Sequence, residues 1–405
     1  MTGMEVCLGD IVTIGRGSSP RPIKDEKYFK DGSTPWVKIA DATASGKYII
    51  QTKQFVNEYG ASFSRHLKKG SLIISASGTL GTPYFLGVDA CIHDGWLYFS
   101  DYAGVEPEWL YYKLMTLKEY FNGISYGAAI QNINTDIVRE TKIFLPDLEI
   151  QTKQVQILKS IDELSKTYED RIRIYESVLA ELYNSWFINF KFPNHEQVKF
   201  VDGIPEGWEL KSVSELTQLI SRGITPKYND ESGKSIVINQ KCIRDNKLNL
   251  ELARRQDKEI SDSKLVQKGD VLINSTGAGT LGRVTQVHED LPDTTVDTHV
   301  TIVRPLQAIS SAWFGAAISN LESYIETLGE GATNQLELKR EVIGRIDLVC
   351  PAMDIQNQFQ KIVEPMQQQI LNLMKQNTHL LKLKETLLPR LMSGELDVSK
   401  LSSIG

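Results

Sequence analysis

Two short segments combine cationic and hydroxyl side chains with a glycine and a proline that favour a tight turn. Both follow the pattern Arg-Gly-x-x-Pro, at residues 16–20 and 222–226. Such groups on loops bind phosphate, and an arginine can also read the edge of a base. These segments are our first candidates for nucleic-acid contacts, and the alternative is a turn whose arginine pairs with a local acid. The candidates are Arg16, Ser18 and Arg21 in the first segment and Arg222, Thr225 and Lys227 in the second.

Further basic side chains cluster in residues 21–66 and 227–264. Lysine and arginine on exposed loops neutralise phosphate charge, so these clusters are candidates for backbone contacts. An ordinary solvated polar face is the alternative, and a net charge of −6 is unusual for a compact nucleic-acid-binding domain. The phosphate candidates are Lys24 and Lys27 in the first cluster and Arg254 and Arg255 in the second.

Motifs for catalysis or metal binding are few. Residues 277–282 fit Gly-x-Gly-x-x-Gly, but the next segment, 283–287, looks like a strand where a dinucleotide site needs a helix. His93-Asp94 and Asp297-x-His299 suggest a metal site at matching positions of the two copies. The histidine precedes the acid in one copy and follows it in the other, which favours residues that pack at the end of a strand over metal ligands. Four cysteines without Cys-x-x-Cys spacing predict reduced core thiols. No catalytic residue and no metal ligand are assigned.

An internal repeat sets the architecture. Gly-Ala-Ala-x-Gln at 127–131 returns as Gly-Ala-Thr-x-Gln at 331–335, and a proline followed by Ile-Gln returns at the same offset of 204 to 205 residues. A repeat of this kind indicates two copies of one unit. Short apolar runs bounded by glycine predict strands, and the fold class is α+β with strands dominating. The predicted elements are strands at 71–75 and 271–274 and helices at 109–121 and 313–325.

The two copies diverge at residues 21–66 and 227–264. They share little there beyond a short apolar strand, 36–39 against 236–238. The sequence therefore predicts one scaffold that carries two different reading surfaces.

Each globular copy is followed by a stretch of roughly 40 residues whose apolar positions recur at steps of three or four, which predicts a long amphipathic helix. The two apolar stripes are predicted to bury each other as a coiled coil. The second globular copy connects the first helix to the second, and domain termini commonly lie close together, so the helices are predicted to be antiparallel. The seam is predicted at Ile157, Ile161, Tyr168, Tyr175, Leu182, Trp186, Ile362, Met366, Leu373, Asn377, Leu380 and Leu387.

Two residues of the second helix are irregular. Asn377 falls on the apolar stripe, where a buried asparagine can fix the register of a coiled coil, or it can turn to solvent. Pro365 is expected to kink or interrupt the helix near its first turns.

The predicted domains follow from this plan, with an internal pseudo-twofold repeat. They are a first globular domain at 1–147, a long helix at 148–192, a linker at 193–207, a second globular domain at 208–350, a long helix at 351–393 and a C-terminal tail at 394–405.

Several longer motifs resemble the specificity subunit of type I restriction-modification systems over nearly the full length. They are Leu-Gly-Asp-Ile at 8–11, the Gly-Ala-Ala-x-Gln segment leading to Leu145-Pro146 and Ile150-Gln151, Leu-Tyr-Asn-Ser-Trp-Phe-Ile-Asn-Phe at 182–190, Ile-Pro-Glu-Gly-Trp-Glu at 204–209 and Leu-Leu-Pro-Arg-Leu-Met-Ser-Gly-Glu-Leu at 387–396. The first copy lacks the Pro-Glu-Gly-Trp entry of the second, so its N-terminal edge is expected to be trimmed or packed differently.

The resemblance implies a non-enzymatic subunit that binds double-stranded DNA. The globular domains at 1–147 and 208–350 would be target recognition domains that each read one half of a bipartite target. The helices would set the gap and dock two methyltransferase subunits. Cofactors are expected only on partners: S-adenosylmethionine on the methyltransferases, and ATP and Mg on motor-nuclease subunits that can join. Since the divergent regions differ, the two half-sites are predicted to be unlike.

Composition bounds the alternatives. The apolar and charged fractions, 41% and 24%, are ordinary for a globular protein. The longest uncharged stretch, 308–321, is too short to span a bilayer, and a cytoplasmic location without membrane contact is expected. The alternative functions are a scaffold whose two heads bind proteins or glycans, and a hydrolase or nuclease that uses scattered acids.

Overall fold

The computed structural model describes residues 3–124, 132–331 and 336–400, and its contacts divide the chain into two units. Unit 1 comprises Met1–Thr167 and Thr378–Gly405, and unit 2 comprises Tyr168–Asn377. Each unit contains one globular copy and parts of both long helices. The Gly-Ala segments of the repeat lie outside the described residues, apart from Gly331.

The strands of unit 1 form three sheets. They are β1 (Gly3–Cys7), β2 (Thr13–Arg16), β3 (Thr34–Val37), β4 (Tyr48–Ile49), β5 (Phe55–Val56), β6 (Arg65–Leu67), β7 (Leu72–Ser75), β8 (Pro83–Leu86), β9 (Ala90–Ile92), β10 (Trp96–Ser100) and β11 (Lys142–Pro146). The main sheet has the order β2-β10-β7-β8-β4, a second has β5-β3-β9-β6, and β1 pairs with β11. Strand β7 is buried along its whole length, as its apolar run predicts.

Unit 2 repeats this arrangement. Its strands are β12 (Phe200–Val201), β13 (Ile204–Pro205), β14 (Glu209–Ser212), β15 (Thr217–Arg222), β16 (Ser235–Ile238), β17 (Ile243–Arg244), β18 (Lys247–Leu248), β19 (Arg254–Gln256), β20 (Val271–Asn274), β21 (Val284–Gln286), β22 (Thr294–Val296), β23 (Val300–Pro305) and β24 (Asp347–Cys350). The order β15-β23-β20-β21 matches β2-β10-β7-β8, and the pair β14-β24 matches β1-β11. The same topology therefore recurs in both copies, which confirms the repeat.

The divergent regions share one strand and its partners. Strand β3 pairs in parallel with β9, and β16 pairs in parallel with β22. An antiparallel neighbour follows in each unit, β5 in unit 1 and β19 in unit 2. The remaining loops differ in length and sequence, so the frame is common and the surface is not.

The helices are mostly short. They are α1 (Leu8–Ile11), α2 (Ile39–Thr43), α3 (Glu58–Ala61), α4 (Pro107–Thr116), α5 (Lys118–Ile124), α6 (Thr135–Glu140) and α7 (Leu148–Tyr183), followed by α8 (Val213–Leu216), α9 (Ser311–Asn320), α10 (Glu322–Thr327), α11 (Arg340–Gly344) and α12 (Met353–Met392). The single helices predicted at 109–121 and 313–325 are each two helices, separated at Leu117 and Leu321. Trp109 and Trp313, at most 1% exposed, anchor α4 and α9 in the two cores.

The long helices run in opposite directions within unit 1. Near the start of α7, the Gln154 amide donates to the carbonyl of Leu391, near the end of α12, at 2.6 Å. Two turns later on α7, Asp162 pairs with Lys384, which lies earlier on α12. Residue numbers rise along one helix as they fall along the other, which confirms the antiparallel prediction.

Two local features of the long helices concern their regularity, the end of α7 and the proline within α12. After Tyr183, α7 continues as a π-helical turn, Asn184–Ile188, and Phe190 then adopts a left-handed conformation (φ 54°) that ends the helix. Helix α12 is not interrupted at Pro365, and a kink at that residue stays a prediction. Pro365 is exposed, and water can bind the carbonyl that its missing N–H leaves free.

The predicted seam residues differ in burial. Ile161, Trp186 and Leu373 are buried, whereas Ile362 is 40% exposed and its neighbour Val363 is buried instead. The other eight, Asn377 included, are partly buried. None of the described helices has the length and apolar run that crossing a bilayer needs.

The duplicated Ile-Gln pair fastens each long helix to its globular copy. Gln151 is fully buried, and its amide donates to the carbonyls of Pro146 and Gly104 while its oxygen accepts from Glu106 N. In unit 2, Gln356 is 1% exposed. It donates to Pro351 O at 2.8 Å and accepts from Ser310 N at 3.1 Å. Two hydrogen bonds therefore recur at the same repeat position, one donated to the proline carbonyl and one accepted from the backbone N–H of Glu106 or Ser310.

Replacing Gln356 with methionine is expected to lower the free energy of unfolding of unit 2 by about 2–4 kcal/mol. Methionine keeps the length of the side chain, but each buried polar group left without a partner costs about 1–3 kcal/mol. Denaturant unfolding measures the change, with the exposed Gln369→Met as control. Equal stability of the two variants would contradict the role given to Gln356.

Candidate nucleic-acid interface

In each unit the Arg-Gly-x-x-Pro segment follows the edge strand of the main sheet, β2 or β15. The glycine of the segment touches the backbone that leads into the adjacent strand of the same sheet, β10 in unit 1 or β23 in unit 2. A Cβ atom at Gly17 would lie 2.1 Å from His93 O, and one at Gly223 would lie 1.9 Å from Val296 O. The backbones can approach this closely only because the residue is glycine. The turn is therefore rigidly placed in both units.

Arg16 connects two loops of unit 1. Its Nε donates to Asp94 O and its Nη2 to Asn132 Oδ1, both at 2.8 Å. Asn132 directly follows the Gly-Ala-Ala-x-Gln segment, and it also forms a β-bridge with Ser77. The arginine thus joins the turn at Asp94 to Asn132.

Arg222 has the same role in unit 2. Its Nη2 donates to Leu338 O at 2.9 Å, and its Nη1 pairs with Glu337 Oε1 at 2.6 Å. Glu337 forms a β-bridge with Thr276, as Asn132 does with Ser77. Arg222 thus pairs with an acid, but that acid is distant in sequence and is not the local one that the alternative interpretation of the turn expects. Contact of either arginine with DNA stays a prediction.

Replacing Arg222 with alanine is expected to lower the free energy of unfolding of unit 2 by about 1.5–3 kcal/mol, the usual range for hydrogen bonds of a charged group. Hydrogen exchange at Leu338 N, which donates to Ser275 O, should accelerate because the loop loses its clamp. If the arginine instead binds phosphate, stability will hold and the salt dependence of DNA binding will fall by about one unit.

Asp94 also binds the Arg-Gly-x-x-Pro turn of unit 1 through its side chain. It accepts a hydrogen bond from Ser19 Oγ at 2.9 Å and pairs with Arg21. Burial raises the pKa of Asp94, but the bond from Ser19 and the charge of Arg21 outweigh it and leave the pKa below its ordinary value. Of the other predicted contacts in this unit, Ser18 and Lys24 are exposed.

The two histidines of the His-Asp segments shape turns. His93 Nδ1 accepts from Gly95 N at 2.8 Å, and burial lowers the pKa of His93. His299 N donates to Asp297 Oδ1 at 2.9 Å, and its Nδ1 bonds with Thr276 Oγ1 at 2.6 Å. Within 3–124, 132–331 and 336–400, no group of three or more potential ligands could hold a metal ion. All four cysteines are free thiols, and three of them are buried.

An aromatic cluster lies beside the basic residues of the first divergent region. Tyr28 stacks on Tyr59 with ring centroids 5.6 Å apart, and Phe63 meets both rings edge-on. Lys27 lies over the Tyr28 ring at 4.8 Å and pairs with Asp25 at 2.9 Å. Tyr59 and Phe63 are 55% and 45% exposed. The sequence analysis did not select these aromatic residues, although their abundance near the lysines was a signal.

In the second divergent region the predicted residues have different surroundings. Thr225 and Lys227 are exposed, and Thr225 O accepts from Lys258 Nζ at 3.2 Å. Arg255 donates to Gly233 O at 3.1 Å. Arg254 forms an ion pair with Asp230, a residue that sequence reasoning missed because 24 residues separate the partners.

Comparison with known proteins gives one family. A family model described as the type I restriction modification DNA specificity domain matches residues 2–173. The type I restriction enzyme MjaIX specificity subunit of Methanocaldococcus jannaschii is 25% identical, with 97% of this chain and 93% of that protein covered. The HindI specificity subunit of Haemophilus influenzae is 22% identical, covering 82% and 87%. Over most of its length the chain is therefore similar to type I restriction-modification specificity subunits.

The fold agrees with a solved specificity subunit. The crystal structure of the type I restriction-modification S subunit from M. genitalium has a TM-score of 0.64 to this chain, with 16% identity and 96% of each chain covered. The likeness extends over both units, although the family model matches only residues of the first unit and the start of the second. Within this shared fold, the chain carries the glycine turns in both copies and different residues around them.

Proposed function

We propose that this chain is the sequence-specific DNA-binding subunit of a type I restriction-modification complex, and that each unit reads one half of a bipartite target. One observation carries the proposal. Both units share the strand order, the glycine turn and an arginine, Arg16 or Arg222, that binds the segment after the Gly-Ala motif. Regions 21–66 and 227–264 present different side chains on this common frame. A common frame with different side chains suits two unlike half-sites, so the target is proposed to be non-palindromic.

The exposed chemistry of the divergent regions supports DNA as the ligand. Each region places a cation on an aromatic ring. Lys27 lies on the buried Tyr28, beside the exposed rings of Tyr59 and Phe63, and Arg254 lies on Tyr228, which is 38% exposed. Cations contact phosphates or base edges, and flat rings contact bases and thymine methyl groups. Because the chain is acidic overall, with a net charge of −6, we expect tight binding only when partner subunits add basic surface.

The long helices are proposed to set the gap between the half-sites and to dock two methyltransferase subunits. Apolar side chains left exposed on α7 and α12 support a docking role. They include Leu164, Ile174 and Val178 on α7 and Ile362, Leu381 and Leu383 on α12. In this proposal the chain itself is non-catalytic. The methyltransferases supply S-adenosylmethionine, and motor-nuclease subunits that join them supply the site for ATP and Mg.

Selection from a random duplex library tests the proposal. The chain, assembled with its methyltransferase subunits, should enrich a motif with two dissimilar specified parts and an unspecified gap. Methyltransferase subunits alone are the control and should enrich no such motif. Absence of any enriched motif, or capture of proteins or glycans in place of DNA, would contradict the proposal.

A further inference from the structure

Arg254 is held in one orientation although it is exposed. Its Nε lies 3.1 and 3.2 Å from the carboxylate oxygens of Asp230, and its Nη2 lies 2.7 Å from Asp230 Oδ2. Its guanidinium carbon lies 3.7 Å from the centre of the Tyr228 ring. An exposed arginine usually samples many rotamers. Here the Asp230 carboxylate on one edge and the Tyr228 ring on one face restrict the guanidinium to a single plane. The hydrogen bonds from Arg254 lower the pKa of Asp230, so the pair is charged at neutral pH.

The second edge of this guanidinium is available. Asp230 takes the Nε and Nη2 edge, and a guanidinium has five N–H groups. Within the described ranges, Nη1 of Arg254 has no hydrogen-bond partner. The Nη1 and Nη2 groups that remain form a planar pair of donors. The side chain is 46% exposed, so a ligand can reach that edge.

This geometry favours a base over a phosphate. Arg254 and Asp230 together carry no net charge, so the pair releases few counterions and attracts phosphate weakly. A fixed pair of parallel donors instead matches O6 and N7 of guanine in the major groove. The neighbouring Arg255 differs, because its side chain donates to a carbonyl, Gly233 O, and keeps its full charge.

We propose that Arg254 reads a guanine in the half-site of unit 2, with Asp230 and Tyr228 positioning its guanidinium. The assignment rests on the proposed function and adds the identity of one base pair. It also changes the sequence-based interpretation of Arg254 from a phosphate contact to a base contact. Arg255 keeps the phosphate interpretation.

Motif selection with the assembled complex tests the assignment through two variants. Arg254→Lys keeps the charge but loses the planar pair of donors, so the preference for one guanine should fall by about 5- to 150-fold while other positions keep theirs. The double variant Asp230→Ala with Arg254→Ala removes the pair without changing net charge. It should lose the same preference and keep the salt dependence of binding.

The control is Arg173→Lys, which alters an arginine paired with Asp170 at 2.6 Å on α7 and should leave the motif unchanged. Thermal unfolding of each variant separates loss of reading from loss of fold. A guanine preference retained in Arg254→Lys, or a salt dependence reduced by about one unit in the double variant, would overturn the assignment. A wild-type complex that enriches no motif would overturn the proposed function itself.

Discussion

Replacing Asp270 with alanine is expected to lower the free energy of unfolding of unit 2 by about 3–5 kcal/mol. Asp270 is 1% exposed and binds Arg304 through two hydrogen bonds, of 2.7 and 2.8 Å. Its Oδ2 also accepts from Gln267 N at 2.7 Å. Without the carboxylate, the guanidinium of Arg304 stays buried in the sheet without a counter-charge. Denaturant unfolding measures the loss.

Two control variants separate the ion pair from simple packing. The double variant Asp270→Leu with Arg304→Met should recover most of the lost stability, because an apolar pair of similar volume needs no counter-charge. Ser71 holds the corresponding position in the first copy, and Ser71→Ala should change stability little. If Asp270→Ala and Ser71→Ala behave alike, the ion pair does not stabilise unit 2.

The second large effect is expected for Phe359→Ala, which should lower the free energy of unfolding of unit 2 by about 3–5 kcal/mol. Phe359 on α12 is 1% exposed and packs against three rings at the end of α7. The ring centroids lie 4.9 Å away for Phe187, 5.9 Å for Trp186 and 6.5 Å for Tyr183. Truncation leaves a cavity where the two helices meet. The control is Ile362→Ala, at a site 40% exposed, where a change of about 0.5 kcal/mol is expected.

The repeat explains why this contact is particular to unit 2. The position of Phe359 corresponds to Gln154 in the first copy, where the amide oxygen accepts from Trp109 Nε1 at 2.6 Å. In unit 2 the indole N–H of the matching Trp313 has no partner among the described residues. A packed aromatic ring therefore replaces a hydrogen bond. A stability of Phe359→Ala equal to that of Ile362→Ala would contradict this account.

The frame could be predicted from sequence because it is local or duplicated. The apolar run at 271–274 gives β20 with the same bounds, and glycines at the turns after β7 and β20 adopt positive φ in both copies, for example 70° at Gly78 and 71° at Gly279. The antiparallel helices followed from connectivity alone. Pro365 could not be judged from sequence, since its effect depends on whether the freed carbonyl faces water.

The details of the candidate site depend on contacts between distant residues. The sequence alone does not reveal that Arg222 pairs with Glu337 or that Arg254 pairs with Asp230. The partners are far apart in sequence, and the pairing of the strands brings them together. Charge clusters located the divergent surfaces but did not separate phosphate contacts from base contacts. That distinction needed the orientation of each guanidinium and the charge of its neighbours.

Exchange of one divergent region tests the central claim most directly. Residues 227–264 are replaced by the corresponding segment of a similar specificity subunit, and the enriched DNA motif is compared with that of the original complex. The account predicts that one part of the motif changes while the other part and the gap stay the same. A change in both parts, or in neither, would contradict the claim that each unit reads its own half of the target.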